Sequence, residues 1–205
     1  MLPSIEMAEE ELRIAGVLNP GPWTGHSRNA GLAARNIAEK FPGMDIHRAW
    51  VCGMLHDIGR RVGVVDISTH VYEGYLYALE KGWDAVARIC MTHSYLIPED
   101  LPDPSGTIAD HSVHAYVEGM VYDDYDLLIQ LCDCLATDYG FVILEKRMVD
   151  VARRYGLNHC TLPRWERLFQ LKAYFEGKMG CSIYGVLPDI GKTTLITPPL
   201  WFPPK

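Results

Sequence analysis

Ala49-Trp50-Val51-Cys52-Gly53-Met54-Leu55 runs without a break into His56-Asp57-Ile58-Gly59-Arg60, and the rest of the chain is organised around this junction. The first seven residues are small or apolar, as the closing turns of a buried helix should be. They end in adjacent imidazole and carboxylate groups, just before Gly59 opens the chain. Neighbours on a helix point about 100° apart, so one ion can sit between them at the helix end. A neutral imidazole beside a carboxylate suits a borderline or hard divalent metal. A lone His-Asp pair is a weak sign. It gains weight here because further His and Asp residues stand in apolar, helical-looking segments of their own.

Upstream, the pattern predicts a helix opened by Asp45, and before it a helix from Thr24, as cap, to Lys40. The second carries Ala30, Ala33, Ala34, Ile37 and Ala38 at helical spacing and stops at Phe41-Pro42-Gly43. Asn19-Pro20-Gly21-Pro22 separates it from a short acidic helix, Glu6 to Ile14, that ends before Gly16. Downstream, a loop from Ile58 to Asp66 leads to a helix from Thr69 to Glu80, capped by Asp66 or Ser68 and closed by Lys81-Gly82. Another follows from Trp83 to His93.

Tyr95 to Ser112, with Pro98, Pro102, Pro104 and Gly106, reads as a long irregular loop, of the kind that is often functional, a lid for example. Helical periodicity returns from Asp124 to Tyr139, then from Phe141 to Tyr155 and from Leu162 to Lys178. In the tail, Ile183 to Leu187 reads as a strand, and Pro198, Pro199, Pro203 and Pro204 forbid a helix. Strand patterns are otherwise almost absent. The expected class is all-α: one domain over 1–205, with a core at about 22–140, accessory helices at 141–180 and an irregular Pro-rich tail at 181–205.

The chain has 205 residues, 48% of them hydrophobic, enough for one domain with a buried core. A net charge of −7 argues against a nucleic-acid partner held on a broad basic surface, while leaving room for a small anion held by a few arginines. No apolar run reaches the roughly 18–20 residues of a membrane span, and the acidic start, Met1 to Glu11, lacks the order of a signal peptide. A cytoplasmic protein with no membrane partner is expected, and homodimerisation is left open. The six cysteines form no Cys-x-x-Cys pair and read as core thiols of a reducing compartment.

Six residues make a candidate metal set: His26, His56, Asp57, His70, His93 and Asp133. Asp133 stands between Leu131 and Leu135 in what reads as mid-helix, where a carboxylate is costly unless paired or metal-bound. Thr24-Gly25-His26-Ser27, then Gly53-Met54-Leu55-His56-Asp57-Ile58-Gly59-Arg60, then Asp133 in a Leu-x-Asp-x-Leu context resemble the HD superfamily of metal-dependent phosphohydrolases. His70-x-x-x-Gly74 and Ile89-x-x-x-His93-Ser94 resemble the extra histidines of its two-metal subgroups, such as the HD-GYP phosphodiesterases and the dinucleoside polyphosphate hydrolases. The Gly-Tyr-Pro signature is missing, since the chain reads Gly74-Tyr75-Leu76, so a cyclic-di-GMP activity is not implied.

The resemblance implies an HD helical bundle with extra C-terminal helices, and one metal held by His26, His56, Asp57 and Asp133. A second would be held by His70 and His93, with Asp57 bridging and a trapped hydroxide as nucleophile. One or two divalent ions among Mn, Fe, Co, Ni and Zn fit this set of nitrogen and oxygen donors. The implied reaction is hydrolysis of a small phosphorylated substrate, a nucleotide or phosphodiester, with Asp57 and Arg60 catalytic. Arg60 replaces the family's frequent Lys, keeping the charge and adding bidentate phosphate geometry. Arg60 and Arg61 are the candidate substrate contacts, and Arg60 is expected on a loop at the cleft mouth, where its loss leaves metal content unchanged. The alternative is an HD-fold diiron oxygenase, which uses the same ligand set.

Other features carry less. Gly185 to Thr194 mimics a phosphate loop but has one residue too many between its glycines, contains Pro188 and lacks a following helix pattern. His47, His111, His114 and His159 read as surface residues.

Overall fold

The computed structural model describes residues 1–196. The apolar run before His56 forms α3 (Ile46–Leu55), capped by the Asp45 carboxylate, which accepts from the Arg48 amide at 3.1 Å. Against it lies α2 (Trp23–Ala38), whose buried face is mostly alanine. Gly31 and Gly53 meet at this crossing. A Cβ on Gly31 would lie 2.9 Å from the Met54 nitrogen, and one on Gly53 would lie 2.8 Å from the Gly31 Cα. Neither position has room for a side chain, and the two backbones approach closely enough to bring the end of α3 beside the start of α2.

A short 3-10 turn (Ile58–Val62) leads from the His-Asp pair to α4 (Ile67–Glu80) and α5 (Asp84–Thr92). Here Gly59 packs against the backbone of α4 at His70 and Gly74, again with no space for a Cβ. Asp66 caps α4. The chain continues through α6 (Ile108–Val117) and α7 (Asp124–Asp133). A two-stranded antiparallel hairpin follows, β1 (Ala136–Thr137) and β2 (Gly140–Phe141), with Ala136 opposite Phe141. Then come α8 (Leu144–Tyr155), α9 (Thr161–Met179) and the short α10 (Ile190–Thr194). The fold is all-α. Its core gathers Leu12 of α1 (Ile5–Leu18), Ile37, Met54, Leu55, Leu128, Leu131 and Phe175, all fully buried.

Several sequence expectations change. The helix foreseen from Asp124 to Tyr139 stops at Asp133, because Asp138-Tyr139 makes the turn of the hairpin and Gly140 adopts φ 136°. Asp133 is therefore the last residue of α7, not a mid-helix one. The strand foreseen from Ile183 to Leu187 is a 3-10 turn, Ile183–Val186. Among the described residues no strand lies alongside to pair with it, and Glu176 accepts the Ile183 amide at 2.9 Å while Ile183 plugs the core.

The first helix runs through Gly16 to Leu18, and α2 starts without Thr24 as its cap. The Tyr95 to Ser112 stretch is shorter than expected. Thr107 and Asp110 form a reciprocal capping box that starts α6, and a 3-10 turn (Pro98–Asp100) is tied down by Arg164 on Asp100 at 2.5 Å. Such anchoring does not suit a free lid. A short helix, α10, does close the phosphate-loop mimic, but its Lys192 is exposed and paired with Asp189 at 2.7 Å. The prolines at 198, 199, 203 and 204 lie outside the described residues. Among those described, no helix is long and apolar enough to cross a membrane.

Candidate metal centre

Five helix ends converge below the crossing of α2 and α3. His26 lies in the first turn of α2 and His70 in that of α4. His56 and His93 cap the C-termini of α3 and α5, and Asp133 closes α7. Asp57 is the next residue after His56. All six candidate residues meet here, and all but Asp133 are buried. His47, His111 and His159 are exposed and His114 is half-buried, away from the cluster.

Each imidazole is fixed from behind by a main-chain carbonyl. Nδ1 of His26 faces the Ala136 oxygen at 3.2 Å, His56 the Gly53 oxygen at 2.7 Å and His70 the Asp66 oxygen at 3.2 Å. His93 faces both the Ile89 and Cys90 oxygens, at 3.1 and 3.0 Å. Four of these five carbonyls belong to the histidine's own helix end or its cap, where backbone acceptors are plentiful. The fifth belongs to the hairpin, whose Thr137 oxygen also takes the Asn29 amide at 2.8 Å, locking β1 onto α2. In a neutral imidazole the carbonyl takes the single N–H, and Nε2 is left as a lone pair facing inward.

The inward atoms face carboxylate oxygens. His26 Nε2 lies 2.8 Å from Asp133 Oδ1, and His56 Nε2 lies 3.8 Å from Asp57 Oδ2 and 3.9 Å from Asp133 Oδ1. On the other side of Asp57, Oδ1 lies 3.1 Å from His70 Nε2 and 3.5 Å from His93 Nε2. Facing acceptors repel unless a cation lies between them. A proton does not serve at His56 near neutral pH, because burial pushes that imidazole down to about 4. Nε2 of both His56 and His70 is buried without any hydrogen-bond partner. Burial opposes the charge on Asp57 and Asp133, but the histidines around them outweigh it and hold both well below the usual carboxylate range.

Two triads place one ligand atom each within 4.8 Å of one another, His26-His56-Asp133 and His56-Asp57-His93. His56 is common to both. The set is two carboxylates and four imidazoles with no thiolate, which fits a divalent transition metal and fits poorly with Cu(I). Cys132 is buried and its thiol is pushed well above its ordinary value by burial, and Cys134 is pushed up to about 12 for the same reason, so neither offers a thiolate.

The HD domain family matches residues 23–138, more than half of the chain and the whole of the six-residue cluster. The chain belongs to the HD domain family. No curated protein and no solved structure matches it. HD domains are in general metal-dependent hydrolases that bind divalent ions.

In this HD domain the two arginines after the motif go separate ways. Arg60 does not sit free at the cleft mouth: its Nε donates to Asp57 Oδ2 at 2.6 Å, and its carbonyl accepts from Asn19 Nδ2 at 2.6 Å. Arg61 turns onto the ring of Tyr77, its guanidinium 3.8 Å from the centroid, where Glu11 and Lys81 also gather. That position contacts none of the six cluster residues. Sequence reasoning also passed over Arg147 of α8, which reaches within 3.9 Å of Asp133. Its neighbours Glu145, Lys146 and Asp150 make the segment look like an ordinary solvated helix face.

Proposed function

We propose that this HD domain is a metal-dependent phosphohydrolase acting on a small phosphorylated molecule such as a nucleotide, with two divalent ions at work. What supports the reading most is the split carboxylate of Asp57, which turns Oδ2 toward His56 and Oδ1 toward His70 and His93. A carboxylate so placed can be shared between two ions. His26, His56, Asp57 and Asp133 would hold the first, and His70 and His93 with Asp57 the second; Mn, Fe, Co, Ni and Zn all suit the donors. When bound, such ions polarise a phosphoryl oxygen and lower the pKa of water toward neutrality.

The chain's own groups do the rest. The carbonyl-anchored imidazoles keep their lone pairs aimed inward, so little reorganisation is needed on loading. Arg60 restrains the Asp57 carboxylate, its Nε donating to Oδ2 at 2.6 Å. Asp133, 28% exposed, and His26 form the wetter rim by which a substrate reaches the centre.

The test is turnover of a panel of phosphomonoesters, phosphodiesters and nucleotides by the protein loaded with each of Mn, Fe, Co, Ni and Zn. Release of phosphate or alcohol that disappears in Asp57→Asn supports the reading. No turnover with any metal, together with oxygen consumption by the iron-loaded protein, would overturn it in favour of the diiron oxygenase that shares this ligand set.

A further inference from the structure

Helix α8 carries basic side chains that the metal-binding set does not use. Arg147 is 19% exposed, its Nε is buried with no hydrogen-bond partner, and its one ion-pair partner among the described residues is Asp133 at 3.9 Å. The nearby carboxylate of Asp150 is already engaged by Lys146 at 3.2 Å. Arg154 follows seven residues later, on the same face of the helix. Its Nε donates to the Asp150 carbonyl at 3.3 Å, its guanidinium lies 5.3 Å from the Tyr155 ring centroid, and it has no ion-pair partner among the described residues. The two side chains stand about two helical turns apart on that face. Partial desolvation and the charge of Arg147 together push the Arg154 pKa below its ordinary value. Arg60 adds a further cation to the centre, bound to Asp57.

This arrangement is unfavourable as it stands. Among the described residues Asp57 and Asp133 are the only carboxylates at the centre, and both are spent on histidines and on Arg60. A divalent ion adds more positive charge. Two mutually repelling guanidiniums beside that centre are tolerated when an anion completes the site, and a guanidinium binds a phosphate oxygen pair in a bidentate fork. A terminal phosphate carries about two negative charges near neutral pH, whereas a diester carries one. The wealth of cations therefore favours the former.

Resting on the hydrolase reading, we propose that Arg147 and Arg154 form a clamp for a terminal phosphate dianion, so that the substrates are phosphomonoesters rather than phosphodiesters. Arg147 grips the phosphate beside Asp133, and Arg154 holds the same group from the solvent side.

Two measurements on the Mn-loaded protein test this. In the first, inorganic phosphate is titrated by calorimetry into wild type, Arg147→Gln, Arg154→Gln and the double variant, with melting temperature and metal content recorded alongside. Each single change should weaken phosphate binding about 10- to 100-fold, the range of a charged hydrogen bond, with metal content unchanged. Arg147→Lys should recover part of the loss, which separates a lost contact from a lost fold. In the second, p-nitrophenyl phosphate and bis(p-nitrophenyl) phosphate are compared. The monoester kcat/KM should fall with the phosphate affinity and the diester value much less.

Unchanged phosphate affinity in the double variant would overturn the clamp, and equal losses on both esters would overturn the monoester assignment. Turnover of neither ester by the wild type would instead overturn the hydrolase reading and the substrate assignment with it. The phosphate titration would still decide whether the arginines form an anion site.

Discussion

Arg60 shows how the chemistry at this centre depends on contacts a single residue makes in two directions. Its guanidinium is bound to Asp57 Oδ2, and its backbone is held by Asn19, so it restrains a candidate metal ligand rather than waiting for substrate. Groups that orient a ligand from behind typically matter about 10- to 100-fold in metal affinity or activity. Arg60→Ala should therefore lower metal affinity by about that factor, measured by competition with a metallochromic chelator. Unaltered affinity with a loss of turnover would return Arg60 to the simple phosphate contact expected from the sequence.

His56 makes a second residue-scale point. Its pKa falls from an ordinary 6.5 to about 4 because burial disfavours the charged ring. In that window the unfolded chain binds a proton that the folded chain does not, so the metal-free protein should lose stability as the pH falls from about 6.5 to about 4. Urea unfolding across that range should show the slope, and His56→Asn should reduce it. Metal-free stability that stays flat in wild type would contradict the account.

Among the elements, the close crossing of α2 and α3 sets the distance between His26 and His56, whose ring centroids are 5.4 Å apart. Gly53→Val would drive a branched side chain into the Gly31 backbone and the Ala30 carbonyl. It should cost about 1–3 kcal/mol in denaturant unfolding, as overpacking does, and weaken metal binding by spreading the two histidines. Wild-type stability and metal affinity would show that the helices can separate without consequence.

Elements also mark the limit of what the sequence reveals. The helices around His26, His56, His70 and His93 are legible because apolar residues recur at helical spacing and each histidine interrupts that pattern. The hairpin at Ala136–Phe141 is not, since two-residue strands carry no periodicity, yet its Ala136 carbonyl anchors His26. Ile183 to Leu187 misleads in the opposite way: β-branched and aromatic residues with no strand alongside settle into a 3-10 turn. Arg147 hides because basic residues on an amphipathic helix usually face solvent. Only the tertiary path of α8 over Asp133 distinguishes it.

At the scale of the whole molecule, a chain of net charge −7 gathers four imidazoles and the guanidiniums of Arg60 and Arg147 around two carboxylates. General negative charge disfavours a polyanionic partner, while a local group of cations can still take a small anion. The family match covers the metal-binding half, and α8 lies beyond its end at residue 138. Arg147, on that helix, is thus a contact to Asp133 contributed from outside the matched region. On this reading six side chains form one centre that holds two ions.

The direct measurement is the number of divalent ions retained per chain after loading with Mn and desalting, by elemental analysis. Wild type should hold about two, and both His70→Ala/His93→Ala and His26→Ala/Asp133→Ala about one or fewer. Wild-type metal content in both double variants would contradict the centre itself.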